Sequence, residues 1–190
     1  MDDRNFDRKS ADDWIAMVEG ENADVREQDI YPHIHKWLWD NDIIKVVDLG
    51  CGQGVCSSKV PENTIYLGIE PSEHLLERAK ENYPNRRFVE GSAYKIPVKS
   101  ESLDGVFSIA VWHLLSDPEK AAKELSRVLR PGGHFLIVTA DPQHEIWKKS
   151  SDHLYLRTEL QLTSVWERFH LKASRIGAYR HFWFFEGRKD

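Results

Sequence analysis

From Ile43 to Ala140 the chain alternates short β-branched and apolar runs with stretches whose apolar residues recur every three or four positions. A parallel strand covered on both faces reads as a near-continuous apolar run, and it reaches its parallel neighbour only through a crossover, usually helical. The alternation therefore predicts an α/β fold, a doubly wound sheet with helices on both faces. The runs are IIKVVDL (43–49), TIYLGIE (64–70), RRFVEG (86–91), LDGVFSIAV (103–111) and HFLIVTA (134–140). Ser72 can cap a helix that turns Leu75, Leu76 and Ala79 inward. Asp117 and Pro118 supply a cap and a first-turn proline ahead of Ala121, Ala122, Leu125, Val128 and Leu129. RPGG, at 130–133, reads as the turn into the fifth strand.

The rhythm changes after Ala140. Thr158 can cap a helix with Leu162, Val165, Trp166 and Phe169 on one face, and LKASRIG and HFWFFEG follow it with only a few residues between them. So short a link cannot carry a parallel crossover, so the sheet is expected to end in an antiparallel hairpin, with seven strands in a mostly parallel, Rossmann-like arrangement. Ahead of the first strand, Ser10 to Gly20 predicts a helix with Trp14, Ile15 and Val18 on one face. A second runs from about Asp29 to Trp39, with Ile30, Ile34, Trp37 and Leu38 inward and Pro32 tolerable only near its first turn. At 190 residues this is one domain, 1–190: a helical appendage over 1–42 that could act as a lid, and a core over 43–190.

Composition narrows the partners. A formal charge of -5 gives no electrostatic footprint for duplex nucleic acid or an anionic membrane, and no apolar stretch approaches the roughly 18 residues of a membrane span. The charged first residues lack the apolar run of a signal peptide, so a cytoplasmic protein is expected. Cys51 and Cys56 have neither CxxC spacing nor a nearby histidine to complete a metal set, so no metal is expected and both read as small buried residues.

The loop DLGCGQG stands where an open α/β sheet places its ligand, at the carboxyl end of the first strand and before the next helix. Gly50, Gly52 and Gly54 let the main chain turn sharply and approach a ligand, or merely turn. Glu70 ends the second strand, where a carboxylate can accept from both hydroxyls of a ribose. Loop and acid together point to an adenosine-containing cofactor. GxGxxG would place the third glycine three positions after the second, whereas Gly54 follows Gly52 by two, and no Lys-Ser/Thr pair follows to make a phosphate cradle.

Four ordered stretches, VVDLGCGQG, YLGIEPS, FVEGSAYKIPVKSESLDGVFSIAVWHLL and LSRVLRPGGHFLIVTADP, make the chain from about Val46 to Asp141 resemble the class I S-adenosylmethionine-dependent methyltransferases. Within them it is similar to the small-molecule enzymes of the ubiquinone/menaquinone-biosynthesis group. The resemblance implies S-adenosyl-L-methionine as cofactor and a small-molecule methyl acceptor; from the charge balance no nucleic acid and no membrane partner are expected, and the oligomeric state stays open. The resemblance assigns Gly50, Cys51 and Gly52 to main-chain contact with the methionine moiety and Asp48 to the loop and the amino group; Glu70 keeps the ribose hydroxyls, and Pro71 beside it joins the cofactor-binding candidates. Family members commonly carry an acid after the EG glycine that accepts from the adenine amine; here Ser92 stands there, beside Ala93, whose amide can bond the ring. Ser108 and Ile109 match the segment whose backbone faces the methionine end. Trp112 could stack over a substrate and His113 could serve as a base, the catalytic candidate, although both also suit packing. Arg26, Tyr31 and Trp147 are candidates for a lid, with surface packing as the plainer role.

Two other functions share these features. A nucleotide-dependent oxidoreductase would need a different glycine spacing, and a non-catalytic S-adenosylmethionine-binding module would keep the same cofactor motifs. Methyl transfer asks chiefly for alignment and exclusion of water, so the lack of a catalytic dyad does not argue against an enzyme.

Overall fold

The structure, a computed structural model, describes Asp12, Ala16, Gly20 and residues 23–149 and 154–190. The helix expected over 10–20 lies outside the described residues but for those three. Helical turns Ala23–Val25 and π-helical Arg26–Ile30 lead into α1, Tyr31–Asp40. Pro32 sits in the first turn of α1, as its missing N–H requires, and the wide π turn before it gives the preceding carbonyls room beside the proline ring. Ile30, Ile34, Trp37 and Leu38 are all buried.

The strands are β1 (Lys45–Leu49), β2 (Ile65–Glu70), β3 (Arg87–Glu90), β4 (Leu103–Ile109), β5 (Leu129–Ala140), β6 (Leu171–Tyr179) and β7 (Phe182–Lys189). They form one seven-stranded sheet in the order β3-β2-β1-β4-β5-β7-β6. All neighbouring pairs from β3 to β5 are parallel, and β7 runs antiparallel to both β5 and β6. The expected α/β class and terminal hairpin are present. Phe182, Trp183, Phe184 and Phe185 are buried in succession because β7 lies between two strands with both faces covered.

Helices α2 (Glu73–Asn82) and α3 (Pro118–Val128) start at the expected caps, Ser72 Oγ accepting from Leu75 N–H and Asp117 Oδ1 from Lys120 N–H. A short α4 (Glu145–Lys149) follows β5. Then α5 (Glu159–Glu167) opens with a reciprocal capping box between Thr158 and Gln161. The strand periodicity divides the core across the sheet. Val46, Phe107, Leu136 and Phe184 join Trp37 of α1 on one face; Val47, Val106, Phe135, Ile137 and Phe185 join Leu125 of α3 and Trp166 of α5 on the other.

Two expectations are corrected. No α-helix follows the glycine loop: only a 3-10 turn, Val55–Lys59, fits between left-handed Gly54 and Pro61. RPGG is not a turn ahead of the fifth strand but a bulge inside it. Leu129 pairs with Leu103 and His134 with Gly105, so residues 130–133 loop out of register, with Gly132 at φ 73°.

Candidate functional site

The chain builds outward from β1 to β3 and then returns to place β4 on the other side of β1. That reversal leaves a crevice at the carboxyl ends of β1 and β4, the position where open α/β sheets hold ligands. The glycine loop floors it. Gly50 and Gly52 have φ of 79° and 55°, and a Cβ on Gly50 would lie 2.3 Å from the Val111 side chain, so a larger residue would both strain the turn and strike the opposite wall.

The loop's hydrogen bonds decide what it can offer. Gly50 and Cys51 N–H both donate to Ile69 O, at 2.8 and 3.0 Å, and Gly54 N–H donates to Cys51 O at 2.9 Å. Gly52 N–H donates to Glu70 Oε2 at 2.9 Å. The amides that would cradle an anion are spent inside the protein. With those amides committed, the loop offers them to no bound anion.

Two buried carboxylates adjoin the loop. Glu70 ties the glycine loop to α2, because its Oε1 accepts from Ser72 N–H at 3.0 Å while Oε2 holds Gly52. Burial raises its pKa, and those two amides oppose the rise. Asp48 accepts from the Tyr66 hydroxyl at 2.8 Å. Burial pushes its pKa up to about 7 against that bond and the nearby Arg26 cation, with Glu70 adding to the rise. Arg26 also donates to Tyr31.

The cavity has two lobes that share Gly50, Gly52 and Ile109. One holds Glu70, Pro71, Ser92 and Ala93 opposite an apolar wall of Leu75, Ala110, Val111, Leu114 and Leu115. The other holds Asp48 and Cys51 with Arg26, Gln53, Val55 and Cys56. Burial raises both thiols, keeping them protonated. Ala110, a non-glycine residue at φ 60°, is held there by donating its N–H to Val138 O at 2.8 Å. Ser92 Oγ accepts from Tyr94 N–H at 3.3 Å, which leaves its proton to donate.

Of the sequence-predicted residues, Asp48, Gly50, Cys51, Gly52, Glu70, Pro71, Ser92, Ala93 and Ile109 therefore come together. Ser108 does not line the cavity; its hydroxyl donates to Leu49 O at 2.9 Å and joins β4 to β1. Trp112 is fully buried, edge-on to Trp166 at 5.3 Å, so it packs in the core and does not stack over the crevice. His113 lies behind the wall, outside both lobes. Its Nδ1 accepts from Ala140 N–H at 3.1 Å and sits 3.3 Å from Thr139 Oγ1, and its ring packs on Trp147. Burial, helped by the His181 charge, lowers its pKa to about 3. Of the lid candidates, Arg26 reaches the cavity, whereas Tyr31 is buried and Trp147 donates its indole N–H to His181 O at 2.6 Å.

Sequence reading missed Tyr66 as the partner of Asp48 and Arg26 as its nearby cation. An i, i+2 period on β2 places Tyr66 and Gly68 on one face, but nothing local says that Asp48 lies across from it. Among the described residues no group of acids, histidines and cysteines could hold a metal ion, and no helix is long and apolar enough to cross a membrane.

Residues 47–137 match a family model described as a methyltransferase domain. An uncharacterized methyltransferase of Mycobacterium bovis is 32% identical over 108 residues, 56% of this chain and 44% of that protein. The ubiquinone/menaquinone biosynthesis C-methyltransferase of Campylobacter jejuni is 34% identical over 104 residues, 50% of this chain and 44% of that protein. The chain thus spans less than half the length of these relatives. Magnesium protoporphyrin IX methyltransferase of Synechocystis, solved with bound SAH, shares the fold at a TM-score of 0.79 and 15% identity, over 97% of this chain and 96% of that one.

Proposed function

We propose that this chain is an S-adenosylmethionine-dependent methyltransferase acting on a small organic acceptor. One observation carries the reading: the loop amides of Gly50, Cys51, Gly52 and Gly54 are all satisfied internally, and the loop meets two buried carboxylates. Those four amides, committed inside the protein, form no nest for a phosphate, and the carboxylates beside them suit a cationic group. The cofactor brings a methyl group on a sulfonium, already activated for transfer.

The residues present fit its parts. Glu70 spends one lone pair of each oxygen on the backbone and keeps another for the ribose hydroxyls. Asp48, with the carbonyl side of the loop at Gly50 to Gly52 and Cys51, would take the α-ammonium, and Arg26 in the same lobe would take the α-carboxylate. Pro71, Ala93 and the apolar wall would sandwich the base, with Ser92 donating to a ring nitrogen. Ile109 sits where the lobes meet. Through Arg26 the N-terminal helical segment closes the methionine lobe, in support of its role as a lid. For His113 the Nδ1 bond from Ala140 N–H and the position behind the wall support packing over service as a base. The buried, unpaired Cys51 and Cys56 support a reducing, cytoplasmic setting.

Calorimetric titration with S-adenosylhomocysteine and NAD tests this. Binding of S-adenosylhomocysteine is expected, weakened about tenfold or more in Glu70→Ala because Gly52 and Ser72 lose their acceptor along with the ribose. NAD binding without S-adenosylhomocysteine binding would overturn the assignment. A metabolite panel scored for S-adenosylhomocysteine release then separates an enzyme from a binding module.

A further inference from the structure

The apolar wall of the cavity has little of its own to hold it. Val111, Leu114 and Leu115 lie in and beside a single 3-10 turn, Trp112–Leu114, whose own bonds are Leu114 N–H to Val111 O at 2.8 Å and a long one from Leu115 N–H to Trp112 O at 3.4 Å. A side chain from far along the sequence adds to them. Arg157 Nη1 donates to Trp112 O at 3.3 Å and Tyr155 O at 3.0 Å. Its Nη2 donates to Leu115 O at 2.7 Å and Ser116 O at 3.5 Å. Tyr155 N–H closes the clasp on His113 O at 2.7 Å. The guanidinium also lies 5.6 Å from the centre of the Tyr155 ring.

A planar fork of fixed donors can span carbonyls on two sides of a turn at once, which a single ammonium cannot. We propose that Arg157 is a positioning residue that sets the Val111–Leu115 wall at the distance the cofactor needs, and so makes cofactor affinity depend on the segment around residue 157. The proposal rests on the cofactor reading above. Arg157 lines neither lobe and acts only through the backbone it holds.

The test compares wild type, Arg157→Ala and Arg157→Lys by S-adenosylhomocysteine titration and by amide exchange. In Arg157→Ala, affinity is expected to fall about tenfold, amides of 112–116 to exchange faster, and those of β7 to keep wild-type protection. Millimolar methylguanidinium should restore much of the affinity in Arg157→Ala and leave wild type unmoved, a response that general loss of packing would not give. Arg157→Lys should fall between the two, and it carries the affinity and exchange readouts if the alanine variant does not fold. A folded variant with wild-type affinity and wild-type exchange at 112–116 overturns the proposal, as does a loss of affinity that methylguanidinium does not reverse. Wild-type protein that fails to bind S-adenosylhomocysteine sinks the cofactor reading and the proposal with it; equal binding by wild type and variant sinks the proposal alone.

Discussion

Burial pushes a titratable group toward its neutral form beside the carboxyl ends of both β1 and β5, yet the two places differ in what a ligand can do about it. Beside β1, Asp48 is pushed toward neutrality but lines a cavity with Arg26 nearby and a tyrosine hydroxyl in support. Beside β5, His113 is pushed the other way, and its ring is enclosed by Trp147, Thr139 and the Ala140 amide. An incoming cation can restore the charge on Asp48. His113 is buried and lines neither lobe. The same desolvation thus falls on a cavity-lining carboxyl in one place and on a core residue in the other, and access to the cavity is what separates them.

The comparison can be broken most severely at the loop itself. Gly50→Val would put a side chain against Val111 at a left-handed backbone position, and S-adenosylhomocysteine binding is expected to fall at least a hundredfold, with the melting temperature lowered as well. Wild-type binding in that variant would show that the loop does not face the ligand.

Asp48→Asn gives the next largest effect, and its two readouts should move in opposite directions. In the free protein the folded pKa near 7 lies above the unfolded value, so the unfolded chain ionises first and stability is lost as pH rises from about 4 to about 7. Removing the charge should therefore stabilise the protein at pH 8, by on the order of a few kcal/mol in urea unfolding. Affinity for S-adenosylhomocysteine should drop about tenfold or more, since the ammonium loses a carboxylate. In wild type that affinity should strengthen as pH rises through about 7, with a proton released on binding below it. Affinity unchanged in Asp48→Asn would place the ammonium elsewhere.

His113→Phe should have the smallest effect on binding, within about twofold, because the ring touches neither lobe. Its effect belongs to stability. With a folded pKa near 3, below the ordinary value, wild type should lose stability as pH falls from about 6.5 toward 3, and the variant should lose less over that window. Turnover abolished in His113→Phe with cofactor binding intact would restore the base that the geometry disfavours.

Much of the fold was legible because it rests on local signals. Ser72, Asp117 and Thr158 cap the helices the sequence implies, and the short 179–182 link left the last two strands no arrangement but a hairpin. The glycine loop and Glu70 were legible for a related reason, since a left-handed turn and a strand-end acid are properties of a few consecutive residues. Trp112 and His113 were not. An aromatic or imidazole after a strand reads the same whether it faces a crevice or a core, and only the packing of Trp166 and Trp147 decides.

Periodicity, caps and turn residues by themselves determined the order of the strands along the chain and the glycine loop at the carboxyl end of the first of them, because these depend on contacts between neighbours in the chain. Tertiary structure alone decided that the loop amides are spent on Ile69 and Glu70, that Tyr66 and Arg26 surround Asp48, and that Arg157 clasps the far wall. Each of those pairings joins residues many positions apart. Their partners are set by the register of strands and the packing of faces, which no short stretch of sequence encodes.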